Sequence, residues 1–218
     1  MKKIFAELLG TFTLVFLGAG SIVVGKADLV GVALAHALAI FVMVSALAGI
    51  SSAHFNPAVS IAMFATKRID LKELLTNIPS QLAGAAFASL ALNGLYGHSN
   101  GYGLTALASG TSITQGFFAE LFGTAILLFV IFGVAVDGRS SVKSLPGLPI
   151  GLSIAAIIMS VGPATGAALN PARWFGPAVV SGDWSNSALY IFGPIVGALV
   201  AALSYTYIAK PTEEVACC

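Results

Sequence analysis

Apolar residues fall along this chain in six long blocks, at 4–24, 29–50, 71–96, 115–136, 145–161 and 187–209, with polar, glycine-rich connectors between them. About 20 apolar residues suffice to cross a bilayer as a helix, so each block predicts a spanning helix. The longest connector, 97–114, is rich in Gly, Ser and Thr and predicts a loop. Two apolar pieces, 57–66 and 171–180, are too short to span. At about 1.5 Å per residue, ten helical residues cover about half of a roughly 30 Å hydrocarbon core. Each piece follows an Asn and opens with Pro-Ala: Asn56-Pro57-Ala58 and Asn170-Pro171-Ala172. Asn is a strong N-cap and Pro is favoured at the first helical position, so two short helices are expected to start there.

The two halves match. Phe5-Ala6-Glu7-Leu8-Leu9-Gly10-Thr11 returns as Phe118-Ala119-Glu120-Leu121-Phe122-Gly123-Thr124, an offset of 113. Gly84-Ala85 returns as Gly197-Ala198 at the same offset, and the Asn-Pro-Ala triplets are 114 apart. An odd number of spans per half turns the second half over, which predicts an inverted 3+3 repeat about an axis in the membrane plane. The expected fold class is therefore all-α integral membrane, with six transmembrane helices and two re-entrant half-helices. One channel domain covers 1–210, with repeats at about 4–96 and 115–209, and 211–218 form a cytoplasmic tail.

Composition narrows the class further. The chain is 57% hydrophobic and 9% charged, far below the roughly one-quarter charged residues of a soluble domain. A net charge of +1 gives no case for a nucleic-acid partner. With the N-terminus inside, Lys2, Lys3, Lys67, Arg68, Lys72, Arg139, Lys143 and Lys210 are cytoplasmic and only Lys26 and Arg173 fall outside. That bias predicts a cell-membrane protein with both termini cytoplasmic. The start, Met1-Lys2-Lys3 before an apolar run, has the outline of a secretory leader. Glu7 inside the run and its near-copy in mid-chain count against that reading. The two cysteines, Cys217 and Cys218, sit in the tail and make neither a disulfide framework nor a metal site. No metal or other cofactor is expected.

In an inverted repeat the short helices enter from opposite faces and meet by their N-termini. Non-helical backbone at that depth needs burial or a wet cavity. The stretches 51–55 and 162–168 therefore need a polar partner, which a file of water would supply. The carbonyls of Ser52, Ala53, His54, Gly166 and Ala168 are expected to accept from it, and the Asn56 and Asn170 amides to donate to it. Each helix N-terminus adds about half a positive charge, which disfavours cations and hydronium. Lipid, water and small neutral solutes are the expected partners.

The paired Asn-Pro-Ala triplets, the second followed by Arg173, together with the Glu-x-x-Gly-Thr opening of each half, resemble the signature of the aquaporin (major intrinsic protein) family. The resemblance covers Phe5 to about Tyr207. It implies a passive channel for water and for small neutral solutes such as ammonia, with a glycerol or urea facilitator of the same fold as the alternative, and a homotetramer. It also implies an outer selectivity filter of His36, Ile158, Ala167 and Arg173. Strict water channels of the family carry an aromatic where His36 stands and His where Ile158 stands. His–Ile–Ala–Arg is instead similar to the plant vacuolar branch. Glycerol facilitators usually carry Asp after the Arg, and here Trp174 follows it.

Glu7 and Glu120 are intramembrane acids and could couple protons in a secondary transporter. Their symmetric placement favours structural support, as acceptors for the N–H groups of the re-entrant loops. His54 reads as a brace for its loop, His98 as a solvated loop residue, and Gly84, Gly193 and Gly197 as sites of close helix crossing. An ion channel lacks a ring of acids, and an enzyme lacks a nucleophile–base pair or a metal-ligand cluster.

Overall fold

A computed structural model describes residues 1–209; Lys210, the tail 211–218 and its two cysteines lie outside the described residues. The described residues form eight α-helices: α1 (Lys2–Val24), α2 (Leu29–Leu47), α3 (Pro57–Ala65), α4 (Leu71–Tyr96), α5 (Ile113–Ile131), α6 (Gly147–Thr165), α7 (Pro171–Ser181) and α8 (Ser187–Ile208). The six long helices are the expected spans, and α3 and α7 are the short ones. Local chemistry sets the ends. Asp28 and Asp70 accept the Gly31 and Glu73 amides at the starts of α2 and α4, and Ser112 and Gln115 form a capping box on α5. Gly25 and Gly182 close α1 and α7 in the left-handed conformation.

The main boundary differences from the sequence reading lie at the ends of α2 and α6. α2 stops at Leu47, three residues short of the expected end. α6 runs on through 162–165, expected to be non-helical, and stops only where Gly166 adopts φ 78° and donates to the Gly162 carbonyl. Pro163 lies inside that last turn, where a membrane helix tolerates one missing backbone donor.

The halves interlock. α1 packs on α4 and, equivalently, α5 on α8; α2 packs on its counterpart α6. Each short helix crosses over, α3 onto α8 and α7 onto α4. Glycines permit the tightest crossings: a Cβ at Gly84 would overlap the Leu8 carbonyl, and one at Gly197 the Leu121 carbonyl. Polarity is inside-out relative to a soluble protein. Phe87, Phe122 and Phe192 stand exposed, while Glu7, Glu120, Gln81 and Arg173 are sealed inside. Five of the long helices are apolar enough to cross a membrane unaided. The exception, α4, is 26 residues long, about 39 Å, and buries Asn77, Ser80, Gln81 and Ser89. Its polar face is needed to hold a re-entrant loop. Beyond the π turn that prolongs α5 over Phe132–Val136, Asp137 accepts from Arg139 and from the Tyr205 hydroxyl. Arg139 above all holds that carboxyl below the usual carboxylate range.

Candidate functional site

The two loops that lead into α3 and α7 share one backbone design. Ala53 and Phe55 have φ of 49° and 50°, and their counterparts Ala167 and Leu169 have 46° and 53°. A left-handed residue without glycine costs on the order of 1–2 kcal/mol, so alternate left-handed residues persist only where the surroundings dictate them. The glutamates do so. Glu7 accepts the His54 and Phe55 amides at 3.1 and 2.9 Å and the Ser51 hydroxyl at 3.0 Å. Glu120 accepts the Ala168 and Leu169 amides at 2.9 and 2.7 Å and the Thr165 hydroxyl at 2.7 Å. With the amides drawn to one side, the carbonyls of Ala53, His54, Ala167 and Ala168 accept no hydrogen bond from the described residues.

The two asparagines meet at the crossing of the halves. Each Oδ1 caps its own helix, Asn56 accepting from the Ala58 amide and Asn170 from the Ala172 and Arg173 amides. Each Nδ2 donates to the other loop: Asn56 to the Leu169 carbonyl at 2.9 Å and Asn170 to the Phe55 carbonyl at 2.8 Å. One of the two amide hydrogens on each side chain is thus used to tie the halves together, which sequence reasoning did not foresee. One remains.

A cavity of about 520 Å³ runs alongside. Its wall holds Ser52, Ala53, His54, Asn56, Ala167, Ala168, Asn170 and the set His36, Ile158 and Arg173, with Arg68 and Lys143 at the far end. Gly166 is not in this wall; it caps α6 and packs against Thr105. Among the described residues no Asp or Glu lines the cavity, and the charged side chains that do are all cations.

At one end Arg173 Nε donates to His36 Nε2 at 3.1 Å, and His36 Nδ1 lies 2.9 Å from the Val32 carbonyl. A carbonyl only accepts and a guanidinium only donates, so His36 carries its proton on Nδ1 and both ring nitrogens are occupied. His36 therefore offers no donor to a solute. The remaining donors are Arg173 Nη1 and Nη2, buried and without a partner among the described residues.

The major intrinsic protein family model matches residues 1–205. The chain belongs to the major intrinsic protein family. Aquaporin AqpM of Methanothermobacter marburgensis is 38% identical over 241 residues, covering 96% of this chain and 98% of its own length. Aquaporin NIP1-1 of Zea mays is 38% identical over 223 residues, covering 99% of this chain and 78% of its own. The solved aquaglyceroporin of Plasmodium falciparum superposes with a TM-score of 0.87 at 30% identity, covering 96% of this chain and 97% of that one. This major intrinsic protein is thus an integral membrane channel with the aquaporin fold.

In this family member the halves differ where sequence alone was silent. Besides its loop donors, Glu7 receives Gln81 Nε2 at 2.8 Å, and Gln81 also donates to Ser60. At the positions matching Ser60, Asn77 and Gln81, the second half has Trp174, Tyr190 and Pro194. Trp174 stacks on Tyr190, whose hydroxyl donates to the Thr165 carbonyl at 2.8 Å. One half fills this space with hydrogen bonds, the other with rings. The polar residues of α4 were the available signal, since Asn77 and Gln81 stand four apart on a helix that must cross lipid.

Proposed function

We propose that this channel conducts water passively, admits ammonia, and excludes protons and ions. The observation that carries the reading is the crossed asparagine pair in the wall of a cavity that no acid among the described residues lines. The spare amide hydrogens of Asn56 and Asn170 donate to a water between them, whose own hydrogens then turn away from each other and interrupt a proton wire. The helix N-termini of α3 and α7, with Arg173, oppose cations. Proton coupling through Glu7 or Glu120 finds no support, since both oxygens of each accept from N–H or O–H donors of the chain and neither residue lines the cavity.

His36, Ile158, Ala167 and Arg173 act as the outer selectivity filter in this reading. His36 shapes the filter and anchors Arg173, Ile158 and Ala167 give a small apolar wall, and Arg173 supplies the donors. Such a wall suits ammonia as well as water and passes glycerol only weakly. The protein works as a homotetramer in the cell membrane with both termini cytoplasmic. Stopped-flow light scattering on proteoliposomes tests the reading with sucrose, glycerol, urea and ammonium gradients. Water flux well above that of empty vesicles is expected; flux equal to theirs overturns it.

A further inference from the structure

Two adjacent serines open the first re-entrant loop. Both stand in the cavity wall, yet neither turns its hydroxyl proton to the cavity. Ser51 Oγ donates to Glu7 Oε1 at 3.0 Å and accepts from the Ala53 amide at 3.0 Å. Ser52 Oγ donates to Glu73 Oε1 at 2.9 Å and accepts from Asn77 Nδ2 at 3.3 Å. A hydroxyl has one proton, so each serine spends its own on a carboxylate that does not line the cavity.

The two carboxylates are held differently. Glu7 is sealed in the interior, fixed by its loop donors. Glu73 stands in the first turn of α4, and its other oxygen accepts from Lys3 Nζ at 3.0 Å, in an ion pair that reaches the surface. Lys3 and Glu7 are one turn apart on the same face of α1, so that face supplies one carboxylate and anchors the other. An exposed ion pair contributes little to stability, so holding the fold together is a poor account of Glu73. The other half makes the comparison. The positions matching Lys3, Ser52 and Glu73 are Gly116, Gly166 and Asn186. Where the wall has no second hydroxyl, the chain has no second carboxylate and no lysine to anchor it. We propose that Glu73 is a positioning residue for the water path: by taking the Ser52 proton it keeps a donor out of the cavity wall, and Lys3 keeps Glu73 in place to do so. This rests on the channel reading above. Without that acceptor the Ser52 proton is left for the water in the cavity, which is then held at the loop entry instead of passing.

The experiment is stopped-flow water flux per channel, with its activation energy, for the full chain in proteoliposomes. Wild type, Glu73→Leu, Ser52→Ala and the double variant are compared. In Glu73→Leu the flux should fall about two- to tenfold, the range of one net hydrogen bond, and the activation energy should rise. Poor folding alone would lower the number of channels and leave the activation energy where it was. In the Ser52→Ala background the same substitution should change neither quantity. Glu73→Gln keeps the volume and one acceptor oxygen, and should recover part of the flux. Wild-type flux and activation energy in Glu73→Leu overturn the proposal. So does an equal loss in both backgrounds, or no recovery in Glu73→Gln. Melting temperatures of the same four proteins in detergent give the Glu73–Ser52 coupling without any flux measurement, and its absence also overturns the proposal. If wild-type vesicles pass no more water than empty ones while that coupling is present, the channel reading fails and the Ser52–Glu73 clamp stands.

Discussion

Arg173 has one anchored nitrogen and two unpartnered ones, and that division defines its work. Nε holds the group against His36, and Nη1 and Nη2 are buried and left as the donors that the proposed filter offers a solute. Arg173→Ala removes a fixed positive charge from a low-dielectric constriction, where Coulomb terms far exceed those in water. Proton conductance is expected to rise about tenfold or more, which needs a barrier only about 1.4 kcal/mol lower, while water flux persists. Proton flux driven by a pH gradient in vesicles checks this, and unchanged conductance removes Arg173 from the selectivity account. Gly18 has a related role at one remove. A Cβ there would lie 2.5 Å from His36 Cδ2, so the ring needs glycine behind it. Gly18→Ala should push His36 off Arg173, at a cost of about 1–3 kcal/mol in stability. Its water flux should fall, and wild-type flux and melting temperature together would refute the packing assignment. For the filter, the paired swap His36→Phe with Ile158→His should lower ammonia flux relative to water. An unchanged ratio would show that these two side chains do not set selectivity.

Among elements, the re-entrant loops depend on their glutamates more than on their own sequence. Ala53, Phe55, Ala167 and Leu169 are poor residues for left-handed backbone, and no turn signal announces them. They hold because Glu7 and Glu120 gather the neighbouring amides. Glu120→Leu would strand two amides and the Thr165 hydroxyl in the interior, at about 1–3 kcal/mol each. Glu120→Gln keeps the volume but can offer only one acceptor oxygen. Thermal unfolding in detergent should rank wild type above Glu120→Gln and that above Glu120→Leu; equal melting temperatures would deny Glu120 its supporting role. The end of α6 shows what element-level reading missed. The stretch 162–168 is expected to be non-helical, but α6 runs on through Pro163 to Thr165 and ends only at the left-handed Gly166.

Across the whole molecule, the inverted repeat makes one half check the other. α1 on α4 and α5 on α8 use the same glycine against the same carbonyl, Gly84 on Leu8 and Gly197 on Leu121. The crossed asparagines then tie the two halves together. A homotetramer is expected, and a detergent-corrected mass of one or two protomers would refute it. Mercurials should leave water flux intact, because the only cysteines are Cys217 and Cys218, outside the described residues and far in sequence from Arg173. Rapid, thiol-reversible block would contradict that placement.

The sequence by itself determined the elements and their symmetry. Apolar block length sets which helices can span, and Asn-Pro-Ala sets where the short ones start. The offsets of 113 and 114 set how the halves relate, because these are local or periodic properties of the chain. Only the tertiary structure decided how polar groups are shared out among distant residues. His36 and Arg173 are 137 apart in the chain, and Asn56 and Leu169 are 113 apart. Glu7 and Gln81, 74 residues apart, meet in the interior, where Gln81 also donates to Ser60. Which nitrogen carries a proton is set by whichever donors and acceptors the packed fold brings within about 3 Å, and no spacing along the chain encodes that distance.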